Sequence, residues 1–143
     1  MNLVRLIYAS RKTEFWNDLE LGRLLENAQR YNKAHHITGI LYFNRKYFLQ
    51  CIEGQREIVS SLYNEIVQDR RHCDVQILAF DEIDERDMEH WHMSYLPDSQ
   101  ITQSMVLKYT NSTDFDPFSM TARGALSFMR NACHLLRASQ QSA

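Results

Sequence analysis

Residues 37–54 read ITGILYFNRKYFLQCIEG. Two apolar runs, Ile37–Phe43 and Tyr47–Ile52, flank the polar triplet Asn44-Arg45-Lys46, and that spacing and polarity define a β-hairpin. Glu53-Gly54 stops its second strand. On the pleat, Phe48, Gln50 and Ile52 share one face, so the face that a sheet would bury carries a primary amide with two donors and an acceptor to satisfy.

On the N-terminal side of the hairpin, Leu3–Ser10 alternates Val4, Leu6 and Tyr8 onto one face and predicts a strand. Asn17 or Asp18 then caps a helix in which Leu21, Leu24, Leu25 and Ala28 fall at i, i+3, i+4 and i+7, ending near Asn32. On the C-terminal side, Ile58, Leu62 and Ile66 with Val59, Tyr63 and Val67 make a second amphipathic helix, running to about Asp69. Val75–Phe80 follows as a strand, polar Asp84–Trp91 as one or two helical turns, and His92–Leu96 as a last edge strand. The order strand, helix, strand, strand, helix, strand is two split β-α-β units. Right-handed crossovers then give an α+β, ferredoxin-like sheet with an extra edge strand and both helices on one face. The first and third strands are expected to be parallel neighbours, which brings Tyr8 within reach of Gln50.

The remainder reads as an appendage, dividing the chain into 1–97 and a helical extension, 98–143, that packs on the sheet. It holds a short helix around Ile101, Met105 and Tyr109, a polar loop Asn111–Asp116, and a terminal helix starting at Pro117. Phe118, Ala122, Ala125, Leu126, Met129, Ala132, Cys133 and Leu136 form a broad apolar stripe, with Phe128 and Leu135 off it. That second apolar edge predicts a second covered surface, against the open sheet face and a partner chain. Arg123, Arg130 and Arg137 recur every seven residues and read as a solvated basic edge.

Composition removes whole classes of function. The 143 residues fit one domain, and 16 Lys and Arg against 18 Asp and Glu leave a net charge of −2, against a general nucleic-acid binder. Hydrophobic residues at 44% suffice for a core, and four glycines provide no phosphate-cradling loop of the Walker or Rossmann kind. Three scattered cysteines without C-x-x-C argue against disulfides and a thiolate zinc site, and for a reducing cytoplasm. No leader and no membrane-length apolar run is visible, so a soluble, cytoplasmic protein is expected. The six histidines lack metal-ligand spacing: His35 and His36 are adjacent, and His90 and His92 straddle Trp91. Ser10, Ser60, Ser61 and Cys51 lack a nucleophile's surroundings, and Asp81–Glu85 reads as a solvated turn. What remains is Gln50, with Asn32 ending the first helix near the same sheet and helix, and Tyr8. A bond from Gln50 to the Tyr8 hydroxyl or to backbone would satisfy the amide. So would a planar heterocycle with carbonyls and ring nitrogens, which would serve both amides.

The sequence resembles the BLUF domain, the blue-light sensors that hold a flavin without covalent attachment, from about Leu3 to Leu96. The landmarks are Leu6-Ile7-Tyr8-Ala9-Ser10; Asn32 followed by Ile37-Thr38-Gly39-Ile40-Leu41; Phe48-Leu49-Gln50-Cys51-Ile52-Glu53-Gly54; Asp69-Arg70-Arg71-His72; and Trp91-His92-Met93. The resemblance implies a flavin between the two main helices and the sheet. It implies that Tyr8 gives an electron and a proton to the excited flavin and that Gln50 bridges that phenol and the ring. Asn32 would bond the ring's polar edge, with Phe48, Asp69, Arg71 and His72 around the flavin. Trp91 and Met93 would be the pair linked to signalling, with the one beside the cofactor left open. Tyr31 and Glu65 depart from the expected polar and basic residues, so the flavin is FAD with FMN or riboflavin as alternatives. The implied function is a photoreceptor, not an enzyme. Excitation would rearrange the Gln50 hydrogen bonds into a reversible red-shifted state, relayed by contact to a downstream protein, in a homo-oligomer. A flavin oxidoreductase and an interaction module without flavin are the competing readings.

Overall fold

The computed structural model describes residues 2–96, 98 and 101–141. The strands are β1 (Leu3–Lys12), β2 (Thr38–Phe43), β3 (Tyr47–Gln55), β4 (His72–Glu82) and β5 (His92–Leu96). The helices are α1 (Leu21–Ala34), α2 (Arg56–Val67), α3 (Gln103–Tyr109) and α4 (Ala122–Gln141). The sheet order is β4-β1-β3-β2-β5, the α+β, ferredoxin-like arrangement with an added edge strand that the hairpin and its flanking helices predicted.

One expectation is reversed. β1 and β3 are antiparallel, not parallel, with Tyr8 directly opposite Gln50. The α1 crossover returns β2 in the direction of β1, and the hairpin then turns β3 back into the gap between them. The hairpin turn is closed locally, because the Asn44 side-chain oxygen accepts from the backbone N–H of Lys46 and Tyr47, both at 2.8 Å. At the end of α1 the N–H of Ile37 bonds the carbonyl of Asn32 at 2.8 Å, with His36 at a left-handed φ of 56°. This is the Schellman stop, made without glycine.

Each sheet face has its own core. Val4, Leu6, Tyr8, Phe48 and Ile52 pack under α1 and α2, whereas Ile7, Ala9, Leu49 and Cys51 pack under α4. The α4 stripe is Ala125, Phe128, Met129, Ala132, Cys133 and Leu136, at helical spacing. Phe128 therefore belongs to the stripe and is fully buried within this chain, so it calls for no partner. Leu135 is partly buried against the same cluster.

Three further expectations change. Pro117 opens only a short 3₁₀ turn, Pro117–Ser119; α4 starts at Ala122, where Thr121 Oγ1 accepts from Gly124 N at 2.9 Å. Residues 84–91 form no helix, because their backbone is bound elsewhere: the N–H groups of Asp87 and Met88 bond the Glu53 carboxylate at 3.0 and 2.9 Å. The arginine row is not simply solvated, since Arg130 reaches Asp87 and Arg137 lies over the Trp91 ring. The expected boundary at Pro97 lies outside the described residues.

Candidate functional site

A cavity of about 550 Å³ opens between α1, α2 and the sheet. Its walls are largely apolar, from Leu24 and Ala28 of α1, Leu62 and Ile66 of α2, and Leu41 and Phe48 of the sheet. Tyr8, Asn32, Gln50, Asp69, Arg71, His72 and Met93 supply the chemistry. Such a mixture of flat apolar wall and a few fixed polar groups is what small-molecule sites present. The structure thus brings Tyr8, Asn32, Phe48, Gln50, Asp69, Arg71, His72 and Met93 to one cavity. Trp91 stays out of it. It packs with Met88 and the α4 residues on the other sheet face.

The centre of the site is a short polar chain. The buried Tyr8 hydroxyl donates to Gln50 Oε1, and Gln50 Nε2 donates to Met93 Sδ at 3.2 Å. Antiparallel register makes the first contact possible, since opposed side chains on one face stand within touching range. Burial first, and then the Asp69 carboxylate and Tyr63, push the Tyr8 hydroxyl well above an ordinary phenol's pKa, so it is held as the neutral phenol.

β5 is held against α1 by amides. Asn32 Nδ2 donates to the carbonyl of His92 at 2.7 Å, and Gln29 Nε2 to that of Met93 at 3.0 Å. Met93 has φ of 137° and sits where the β2–β5 register slips, Gly39 pairing with His92 and Ile40 with Ser94. It is a bulged residue in a strained conformation. Gly39 is required beside it, because a Cβ there would lie 2.1 Å from the Cys51 carbonyl oxygen and 3.0 Å from Met93 Cε.

At the α2 end, His72 Nε2 lies 2.5 Å from the Ile66 carbonyl and Nδ1 2.8 Å from Ser10 Oγ. A carbonyl only accepts, so Nε2 donates to Ile66, and in the tautomer with its single proton there Nδ1 accepts from the Ser10 hydroxyl. Arg71 bonds Asp69 through Nε at 3.0 Å and Nη2 at 2.5 Å. Those bonds hold the Asp69 carboxyl below its usual range and the guanidinium above.

Several lining residues escaped the sequence reading. Asn27 continues the Leu24–Ala28 stripe at i+3, a signal that was present, and Tyr31, singled out in the sequence only as a departure from a polar residue, continues it at i+7. Trp16 also lines the cavity and edges onto Phe48 at 5.0 Å, a long-range contact with no local mark; outside the lining, Tyr63 of the second helical stripe edges onto Tyr8 at 6.0 Å. The donor set suits a flat heterocycle with polar edges: three primary amides, Asn27, Asn32 and Gln50, and two phenols, Tyr8 and Tyr31, line an apolar slot, with Arg23 and Arg71 as its cations. Among the described residues no cluster of His, Cys, Asp or Glu could hold a metal ion, and no helix is long and apolar enough to cross a membrane.

Comparisons agree on one family. The family model described as "Sensors of blue-light using FAD" (BLUF) matches residues 3–94. The chain is 36% identical over 84 residues to a photoactivated adenylate cyclase subunit beta of Euglena gracilis, covering 59% of this chain and 10% of that protein. It is 35% identical over 79 residues to the blue light- and temperature-regulated antirepressor BluF of Escherichia coli, covering 55% of this chain and 20% of that protein. The chain thus spans a tenth to a fifth of the length of these relatives. The solved structure of BlsA in its photo-activated state superposes with a TM-score of 0.83 at 30% identity, over 91% of this chain and 94% of that one.

Proposed function

The chain belongs to the BLUF family, and on that premise we propose that it is a blue-light photoreceptor whose light-responsive pair is Tyr8 and Gln50. Its function is sensing, not catalysis. The flavin, when bound, supplies the blue absorption and, once excited, a strong oxidant. FAD is the flavin that the family description names, and Tyr8, Asn32, Phe48, Gln50, Asp69, Arg71 and His72 would hold it.

The observation that carries this reading is the Tyr8–Gln50–Met93 chain along the cavity wall. A phenol is easily oxidised only if its proton leaves with the electron. The neutral, buried Tyr8 already directs its proton at Gln50 Oε1. Gln50 has a donor end and an acceptor end, and its donor end rests on a thioether, a weak acceptor. A proton arriving at Oε1 releases that arrangement, and rotation or tautomerisation of the amide changes which end faces the cavity. A stronger donor presented there lowers the excitation energy of a bound ring and reddens its absorption. This is a bistable hydrogen-bond network, and it leaves no chemical product.

Residues 98–143 form the output segment, and the signal passes by protein contact. The relatives' names couple light to a cyclase and to an antirepressor; the counterpart here is a downstream protein that recognises the helical extension, in a homo-oligomer and in the cytoplasm. The test is optical. Purified full-length chain with flavin should redden reversibly under blue light without net reduction, which an oxidoreductase would not do. Tyr8→Phe and Gln50→Leu should retain flavin and lose the shift. A normal shift in Tyr8→Phe overturns the assignment, and failure to bind any flavin overturns the function.

A further inference from the structure

Arg130 and Arg137 lie seven residues apart on α4, about two turns, and so face the same side of the helix. Arg130 Nε is 3.3 Å from Asp87 Oδ2, and Arg137 Cζ is 5.5 Å from the centre of the Trp91 ring. Both targets belong to the segment between β4 and β5, which enters the strand carrying Met93. That segment is fixed at several other points. Asp87 also pairs with the buried Arg5, the N–H groups of Asp87 and Met88 bond Glu53, and the Trp91 carbonyl accepts from Gly39 N at 2.8 Å. Met88 and Trp91 are buried in the core that α4 covers.

We infer that Arg130 and Arg137 are the positioning residues through which α4 is coupled to β5, Arg130 through Asp87 and Arg137 across the face of Trp91. The inference rests on the photoreceptor reading and extends it by naming the contacts that carry the signal out of the sheet. Both contacts are sensitive to geometry. The Asp87 carboxylate is shared between a core arginine and a helix arginine, so a shift that favours one loosens the other. A cation over an indole is held by the field of the ring face and weakens when the ring tilts. A rearrangement of β5 that moves Trp91 or Asp87 therefore changes the grip on α4 at two points, one per pair of turns. Coupling is reciprocal: if the lit arrangement of β5 alters that grip, removing the grip must alter the stability of the lit arrangement by the same factor. Exposed contacts of this kind are each worth a factor of about 2 to 5 in an equilibrium.

The test uses the full-length, flavin-loaded chain. Hydrogen exchange of α4 and of the 84–91 segment, in darkness and under blue light, is measured together with the dark return of the red-shifted state. Both arginines are exposed, so the double variant Arg130→Ala/Arg137→Ala is expected to fold. It should keep the red shift, change the dark-return rate at least twofold, and remove the light-dependent exchange of α4 while that of 84–91 persists. Arg130→Lys/Arg137→Lys, which keeps both charges, should restore most of the coupling. An α4 that responds to light equally with and without the arginines, at an unchanged return rate, overturns the inference alone. A wild-type chain that shows no red shift overturns the photoreceptor reading and this inference with it.

Discussion

Glu53→Gln removes a single charge and no volume, yet the structure expects it to be among the costly substitutions in the chain. Glu53 is fully buried. Its Oε2 meets Arg5 Nε at 3.1 Å, Arg5 Nη2 at 3.0 Å and Asp87 N at 3.0 Å. Its Oε1 takes Met88 N at 2.9 Å and Thr38 Oγ1 at 3.3 Å. A glutamine keeps one of these oxygens and replaces the other with N–H donors. If the amide nitrogen takes the Oε1 place, the Met88 N–H faces another donor, and a buried donor left without a partner costs about 1–3 kcal/mol. Arg5 then keeps only Asp87, about a third exposed, as its counter-charge. Breaking a buried pair costs about 3–5 kcal/mol, less here because Asp87 remains. The expected total is about 3–4 kcal/mol, a large share of the roughly 5–15 kcal/mol that holds a domain together. In equilibrium urea unfolding with a slope near 2 kcal/mol/M, the midpoint should fall by about 1.5–2 M. Arg5→Met combined with Glu53→Met should recover only part of this, because the Asp87 and Met88 amides still lack an acceptor. A loss below about 1 kcal/mol in Glu53→Gln would show that the hub is not the strong tie that its geometry describes.

Two other outcomes follow from the cavity. Arg71 depresses the folded-state pKa of Asp69, so the stabilisation it brings is present above the unfolded value, near 4, and is lost as pH falls through the lowered one. Asp69→Asn should flatten the acid limb of a stability-against-pH curve, and superimposable limbs would refute the pairing. Met93→Leu removes the sulfur that accepts from Gln50 Nε2 while keeping similar bulk. Flavin should stay bound and the lifetime of the red-shifted state should change; an unaltered lifetime would mean that the thioether does not bias the amide.

The hairpin, the two helical stripes and the Tyr8–Gln50 proximity were legible because each rests on local periodicity or on one crossover rule. The direction of β3 was misread, although the hairpin alone requires β3 to oppose β2. Arg5 and Glu53 went unnoticed as a pair because a charge within a strand ordinarily marks the wet face. The signal was nevertheless there: in an antiparallel register, stepping three residues outward from Tyr8 and Gln50 lands on Arg5 opposite Glu53. The helix expected over Asp84–Trp91 failed for the opposite reason, since its polar residues spend their hydrogen bonds on strands far away in sequence. Arg86 alone bonds Thr38 Oγ1 and the carbonyls of Glu53 and His36. The arginine row on α4 looked solvated because its acceptors lie more than forty residues upstream. For the same reason, sequence could set Trp91 and Met93 about the start of the last strand without deciding which faces the cavity.

The awkward backbone at Met93 bears on speed as well as shape. A residue held at φ of 137° without being glycine is already raised by about 1–3 kcal/mol above a relaxed strand. Where β5 passes between two settings, as the proposed sensor requires, any part of that elevation released on the way is subtracted from the hill between them. On that reading a nudge at the Gln50 amide, worth no more than a hydrogen bond, would have a short climb to make, as with a latch left half-cocked.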